Sequence, residues 1–238
     1  MPEPSTTSLL WSSPPRPRRG PRPRVSLDEI VAAGVRIADA EGLEAASMQR
    51  VAYELGLTKM ALYRYVPGRA ELVELMLDSA MGPAPTALDG PWRRRLEAWA
   101  VAMRDMFSAH RWLLVAAVGP RPFGPNELGW SEAGLGTIAG LPLSAAEQLD
   151  TLAVIGAQVR GLVAQTVADD VEARLGAALA ATLAAHATTY PLAAAAFGAT
   201  SAAADDERER APDFGLDRIL DGIEVLLTRR LAGDQPVE

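Results

Sequence analysis

The chain has 238 residues, 49% of them hydrophobic, a formal net charge of −7 and no cysteine. That length supports one large core or two smaller ones, and the missing thiols exclude a disulfide framework, thiolate metal sites and cysteine nucleophiles. The opening MPEPSTTSLLWSSPP lacks the basic start and apolar centre of a signal peptide, and the most apolar run, LAVIGAQVRGLV, is short and broken by Arg160. A cytoplasmic protein with no membrane contact is therefore expected.

The acidic excess is uneven. Residues 1–82 hold 10 basic and 10 acidic side chains, and the remainder holds 13 and 20. Arg16, Arg18, Arg19, Arg22 and Arg24 crowd a Pro- and Ser-rich start with no apolar period, so residues 1–24 are expected to form a disordered arm whose arginines, Arg22 and Arg24 among them, track phosphates or a minor groove.

Order begins after the arm. Ser26 with Glu29 makes a capping box, flanked by Val25 and Ile30 at the staple positions, and Ile30, Val31, Gly34, Val35 and Ala38 recur at helical spacing up to Gly42. Ser47 caps a second helix that Gly56 ends. Thr58 caps a third, about two turns long, stopped by Pro67 and Gly68. A fourth from Glu71 leads into the linker MGPAPTALDGP, placing a domain boundary near residue 82. Beyond it the pattern is again helical, over about 91–108, 109–118, 126–139, 145–167, 171–187 and 214–231, while ATSAAADDERERAP reads as a mobile loop. The fold class is all-α: an N-terminal three-helix head with its connecting helix over 25–82 and a helical domain over 83–238.

Two helices joined tightly at Gly56 match a helix-turn-helix. With 3.6 residues per turn, Leu62 and Val66 face the head's core, leaving Met60, Ala61 and Arg64 pointing outward, with Tyr63 and Tyr65 at the flanks. Lys59, the single lysine of the chain, stands in the first turn. This face combines a bidentate-capable arginine, a cation and two phenols, the groups that contact base edges and phosphates. Tyr53 is a poor candidate. Ser47 serves as a helix cap, and its helix N-terminus also suits a phosphate.

The stretch from Leu27 to Asp78, centred on SMQRVAYELGLTKMALYRYVPGRAEL, resembles the DNA-binding domain of the tetracycline repressor (TetR) family, whose members are mostly ligand-released transcriptional repressors. The resemblance implies that Lys59, Met60, Ala61 and Arg64 approach bases, and that Ser47, Tyr63, Tyr65 and Arg69 approach phosphates. Gln49 stands where some members carry a base-reading arginine, and glutamine favours adenine. HRWLLVAAVGPRP, the pair Gly156 and Gly161, and FGLDRILDGIEVLL are similar to the tetracycline repressor's regulatory domain, so the resemblance covers most of residues 27–231.

The resemblance implies a homodimer on double-stranded, palindromic operator DNA, paired through a four-helix bundle, and a small-molecule effector. Two apolar stripes suit that bundle: Leu149, Leu152, Gly156, Val159 and Val163, and Leu216, Ile219, Leu220, Ile223 and Leu227. Trp99, Met103, Met106, Phe107, Trp112 and Trp130 fall in the segments that form the family's pocket, with Arg104, Gln158 and Arg160 as polar anchors. No cofactor and no metal site is expected. Ala117 and Gln165 stand where the tetracycline repressor uses a metal-holding histidine and a glutamate in the metal's water shell, so a magnesium chelate lacks its anchor and a metal-free, largely apolar ligand is expected.

Two other classes compete. An enzyme is disfavoured: GWSEA around Ser131 misses the G-x-S-x-G elbow, H-E-x-x-H is absent, and His110 and His186 have no triad partners in the pattern. The other alternative keeps DNA binding and makes the helical domain a dimerisation or protein-contact module without an effector.

Overall fold

The computed structural model describes residues 6–11, 25–165, 169–201 and 205–233, with the backbone alone for 169–173, 200–201 and 205–212. Every described element is helical. The chain divides into two compact units, one reaching to Arg160 and the other beginning at Gly161.

In the first unit, α1 (Thr6–Leu10) precedes the head helices α2 (Leu27–Glu41), α3 (Met48–Glu54), α4 (Lys59–Leu62) and α5 (Arg69–Met81). The capping box at the start of α2 is formed in both directions: Ser26 N–H donates to Glu29 Oε2 at 2.7 Å, and Glu29 N–H donates to Ser26 Oγ at 3.2 Å. Val25 and Ile30 are both buried, as the staple requires. α2 ends at Gly42, whose φ of 88° suits only glycine. Helices α2 and α5 cross closely at Gly34, where a Cβ would lie 2.6 Å from Met76 Sδ. Ile30, Val51, Leu62, Val66, Leu72 and Met76 form the head's core.

The regulatory part of this unit holds α6 (Trp92–Ala109), α7 (Leu113–Ala116), α8 (Pro125–Ile138) and the start of α9 (Ala145–Gln165). Helices α6 and α8 meet where Gly134 presents no side chain, since a Cβ there would stand 2.8 Å from the Trp99 ring. The second unit contains α10 (Asp169–Ala185), α11 (Pro191–Ser201) and α12 (Asp205–Leu231), with Leu220 and Leu227 buried along α12. Among the described residues no helix is long and apolar enough to cross a membrane.

Several expectations change. The arm is not without structure throughout: α1 packs on α5, Leu10 is buried, and Trp11 Nε1 donates to the Phe123 carbonyl at 3.0 Å. Three bulky apolar residues, Leu9 to Trp11, give that end of the arm something to bury, whereas Arg16, Arg18, Arg19, Arg22 and Arg24 lie outside the described residues. The helix expected over 109–118 is only the single turn of α7. Helix α11 was not anticipated. The loop expected over 199–212 is instead helical at 199–201 and 205–212, because Ala, Glu and Arg are strong helix formers and the acids at its start favour a helix N-terminus.

The first unit continues past residue 82, where α5 packs on α8. Asp78 of α5 caps α8, with Oδ1 accepting from Asn126 N–H at 2.9 Å and Glu127 N–H at 3.2 Å. The residue at the cap position, Gly124, has no side chain to do this, and a Cβ on it would come within 2.1 Å of Asp78 Oδ1.

Gly124→Ala should therefore expel the Asp78 carboxylate and destabilise the first unit by about 2 kcal/mol. Gly129→Ala, one turn further along the same helix with nothing within 4 Å of its Cβ, should stabilise it by up to about 1 kcal/mol. Urea unfolding midpoints of the two variants check both signs.

Candidate nucleic-acid interface and effector cavity

Helix α3 closes in a Schellman turn. The Gly56 N–H donates to Tyr53 O at 3.1 Å and the Leu57 N–H to Ala52 O at 2.8 Å, with Gly56 at φ 63°. This sharp reversal sets the angle at which α4 leaves. Ser47 and Thr58 cap α3 and α4, each hydroxyl accepting a backbone N–H at 3.2 Å from Arg50 and Ala61 respectively.

The outward face lies as the helical wheel predicts. Leu62 and Val66 are fully buried, Met60 is 75% exposed, and Lys59, Tyr63 and Arg64 are exposed, while Ala61 and Tyr65 are half-buried. Lys59 Nζ stands 5.8 Å above the Tyr63 ring, which orients both groups. Gln49 is exposed on α3. Arg50, by contrast, is spent on Glu41 and Glu54 at 2.9 and 2.8 Å. Arg69 is half-buried and donates to the Leu43 carbonyl at 3.1 Å while pairing with Glu44 at 3.2 Å, so it also locks α5 to the turn before α3. Tyr53 is 80% exposed and packs on nothing that would hold it.

A cavity of about 390 Å³ opens among α5, α6, α8 and α9 within the first unit. Its walls are mainly the rings of Trp99, Phe107, Phe123 and Trp130, the thioethers of Met81, Met103 and Met106, and Leu149 and Leu152. The two tryptophans are fixed by their indoles. Trp99 Nε1 donates to the Trp130 carbonyl at 3.0 Å, and Trp130 Nε1 donates to the carbonyls of Met81 and Gly82 at 3.1 Å each. Those carbonyls close α5, so a cavity wall holds the last turn of the head's connecting helix.

A polar cluster continues the same junction. Glu127, which lines the cavity, takes both terminal nitrogens of Arg121, whose side chain is 7% exposed. Arg121 Nη1 also stands 3.5 Å from Glu74 Oε2 on α5, an oxygen buried without a hydrogen bond among the described residues. Burial pushes the Glu74 carboxyl above its usual range, and Arg121 only partly offsets it. Asp78 is raised for the same first reason, opposed by the Glu127 and Asn126 N–H groups and Arg121.

Trp99, Met103, Phe107, Trp130 and Arg160 line the cavity as the sequence suggested; Arg104, Gln158 and Trp112 do not. Trp112 is buried, but its indole N–H turns to Asp39 Oδ1 of α2 at 2.7 Å, an oxygen that also lies 2.8 Å from His110 Nδ1. A large apolar body with a polar tip found a partner in the head instead. Of the α9 stripe, Leu149, Leu152 and Gly156 line the cavity, and Val159 and Val163 are buried. Sequence reasoning missed Asp39, Glu74, Asp78, Arg121 and Glu127. Their partners lie 48 to 73 residues away in most cases, beyond any local pattern.

A short reader standing out from a three-helix head, tied through one helix to a domain with an aromatic cavity, defines a ligand-responsive DNA-binding regulator. The chain belongs to the tetR family of bacterial regulatory proteins: the family model of that description matches residues 30–76, and the model of the tetracycline repressor-like C-terminal domain matches residues 84–227. It is 39% identical to the HTH-type transcriptional repressor DrrR1 of Streptomyces coeruleorubidus, over 97% of this chain and 89% of that one. An HTH-type transcriptional regulator of Saccharopolyspora erythraea is 31% identical, over 80% and 82% of the two chains. Among solved structures, ActR of Streptomyces coelicolor in complex with (S)-DNPA aligns with a TM-score of 0.70 at 26% identity, over 85% of this chain and 98% of that one. The chain is thus a DNA-binding transcriptional regulator of that family.

The raised carboxyls make the junction sensitive to pH. A carboxyl that binds its proton more tightly when folded contributes stability fully below its ordinary pKa, and that contribution is lost as pH rises through the raised folded value. Glu74→Gln removes one such group. The melting temperature of the wild-type chain should exceed that of Glu74→Gln by most near pH 4, and the difference should shrink, or reverse, on moving to pH 7.

Proposed function

We propose that the chain is a cytoplasmic homodimeric repressor that occupies a palindromic operator and is released by a small, largely apolar ligand. It consists of an arm over 1–24, a DNA-binding head over 25–82 and a regulatory and dimerisation domain over 83–238. The observation that carries the reading is that α5 belongs to both sites: its first residue, Arg69, ties it to the turn before α3 in the head, and its last carbonyls are held by Trp130 in the cavity wall.

On the DNA side, Arg64 reads a base edge, assisted by Lys59, Met60, Ala61 and Gln49, while Ser47, Tyr63, Tyr65 and Arg69 hold phosphates. The exposure of Lys59, Met60, Tyr63 and Arg64 supports this division. Arg22 and Arg24 add phosphate contacts from the arm. On the ligand side, a molecule that displaces the Trp130 ring or Glu127 moves the groups that hold both ends of the α5–α8 junction. The head then shifts with α5, and DNA and ligand favour different positions of the same helix. A small molecule as effector is supported by the cavity and by the (S)-DNPA complex of ActR. Dimer contacts fall to the exposed apolar faces, Val154 and Ala157 on α9 and Gly222 and Val225 on α12.

A tetracycline–magnesium chelate does not fit this cavity. Ala117 lines it, and its methyl group offers a metal nothing. Titrating tetracycline into the protein–operator complex, with and without magnesium, should leave the complex intact at micromolar drug. Arg64→Ala should weaken operator binding by about 1–3 kcal/mol per half-site and leave scrambled DNA nearly unaffected, whereas Tyr63→Phe should weaken both. Fluorescence anisotropy on the two duplexes separates base readers from phosphate holders.

A further inference from the structure

We infer that the effector is an aromatic monoanion, its ring system lying among the tryptophans and its acid group meeting Arg160 at the cavity mouth. This rests on the reading of the cavity as the effector site and adds the charge of what fills it.

The cavity carries two charged side chains, and they are not equivalent. Glu127 has both carboxylate oxygens occupied by the Arg121 guanidinium, so the pair offers no free charge to a ligand. Arg160 lines the same cavity and makes no ion pair within 4.0 Å among the described residues. Its position follows from the sequence four residues earlier. Gly156 has no side chain, and Arg160 folds back over it, with Nη1 3.4 Å from where a Cβ would stand and Met103 Sδ 3.9 Å from the same point. A guanidinium is thus laid against the wall made by Gly156 and Met103, still exposed on its outer side.

An unpaired cation beside apolar surface is costly to desolvate. A neutral apolar ligand would strip water from Arg160 and return nothing, and a cationic one would add repulsion. An anion meets it with charge-assisted, planar hydrogen bonds, and the guanidinium face also stacks on an aromatic ring. The flat walls of Trp99 and Trp130 and the adaptable thioethers suit two or three rings better than a branched aliphatic body. Carboxylates, sulfonates and acidic phenols share this chemistry.

The test uses two dyes with the same rings on the full-length protein: 1-anilinonaphthalene-8-sulfonate, which carries one negative charge, and N-phenyl-1-naphthylamine, which carries none. Both should fluoresce on binding, and Ala117→Trp, which fills the cavity, should abolish both signals. Arg160→Met should weaken the sulfonate by about tenfold and the neutral dye by less than twofold, with Arg160→Lys intermediate. Unchanged binding of the neutral dye shows that the variant is folded. Equal effects of Arg160→Met on the two dyes, or none on either, would overturn the charge assignment while leaving the cavity as the effector site. Failure of both dyes to bind the wild-type protein, or their indifference to Ala117→Trp, would overturn the cavity reading and this inference with it.

Discussion

The structure turns on a reciprocal exchange of caps between α5 and α8. The end of each helix is buried against the other, and each would leave backbone groups without partners. Asp78 of α5 supplies the acceptor for the first N–H groups of α8, and Trp130 of α8 supplies the donor for the last carbonyls of α5. Asn126 closes the arrangement by donating its amide to the Asp78 carbonyl at 2.9 Å. Neither helix end is complete alone, so the position of the head's connecting helix and the shape of the cavity wall are one geometry.

That exchange explains residues that would otherwise look incidental. Gly124 is required because its absent side chain is the space the Asp78 carboxylate occupies, and Gly134 because the Trp99 ring rests on bare helix backbone. Arg121 satisfies Glu127 and partly compensates Glu74, leaving three carboxyls around one guanidinium and two of the three carboxyls raised by burial. Removing Arg121 or Glu127 leaves the other as a buried charge without its bidentate partner, which is far more costly than losing a surface ion pair. A second tie, from Trp112 to Asp39, joins the regulatory part to α2 and gives the head two points of attachment.

How much of this was legible in the sequence follows the range of each interaction. The head was almost fully legible because its signals are local: Ser26 and Glu29 lie three residues apart, Gly56 ends α3 where its φ demands, and Leu62 and Val66 share one face. The cavity was legible in part. Bulk and the resemblance to the family's pocket segments pointed to Trp99, Met103, Phe107 and Trp130, but side-chain direction depends on packing that no window of sequence contains, and Trp112 turned to the head. The α9 stripe was legible as an apolar face but its neighbours were not, because periodicity says that a face is covered without saying by what. Composition hid α1, whose Leu9 and Leu10, with Trp11 just after it, sit in a stretch otherwise dominated by Pro, Ser and Arg. The junction was illegible, since Asp78 and Asn126 are 48 residues apart and neither belongs to a motif.

The character of the junction also sets what a ligand has to do. Apolar packing slides with gradual loss, whereas hydrogen bonds weaken steeply with distance and angle, so a shift of about 1 Å at Trp130 or Glu127 breaks them rather than stretching them. An arrangement with α5 and α8 parted would then be a discrete second state, as a switch requires. Linkage makes the coupling mutual: the factor by which a bound ligand lowers operator affinity is the factor by which the operator lowers ligand affinity. The caps are made by the chain's own groups, so a ligand that parts them has to supply enough binding free energy to break hydrogen bonds that are buried and mutually supporting. A cavity walled by the same tryptophan that caps α5 brings that free energy to bear on the bond to be broken.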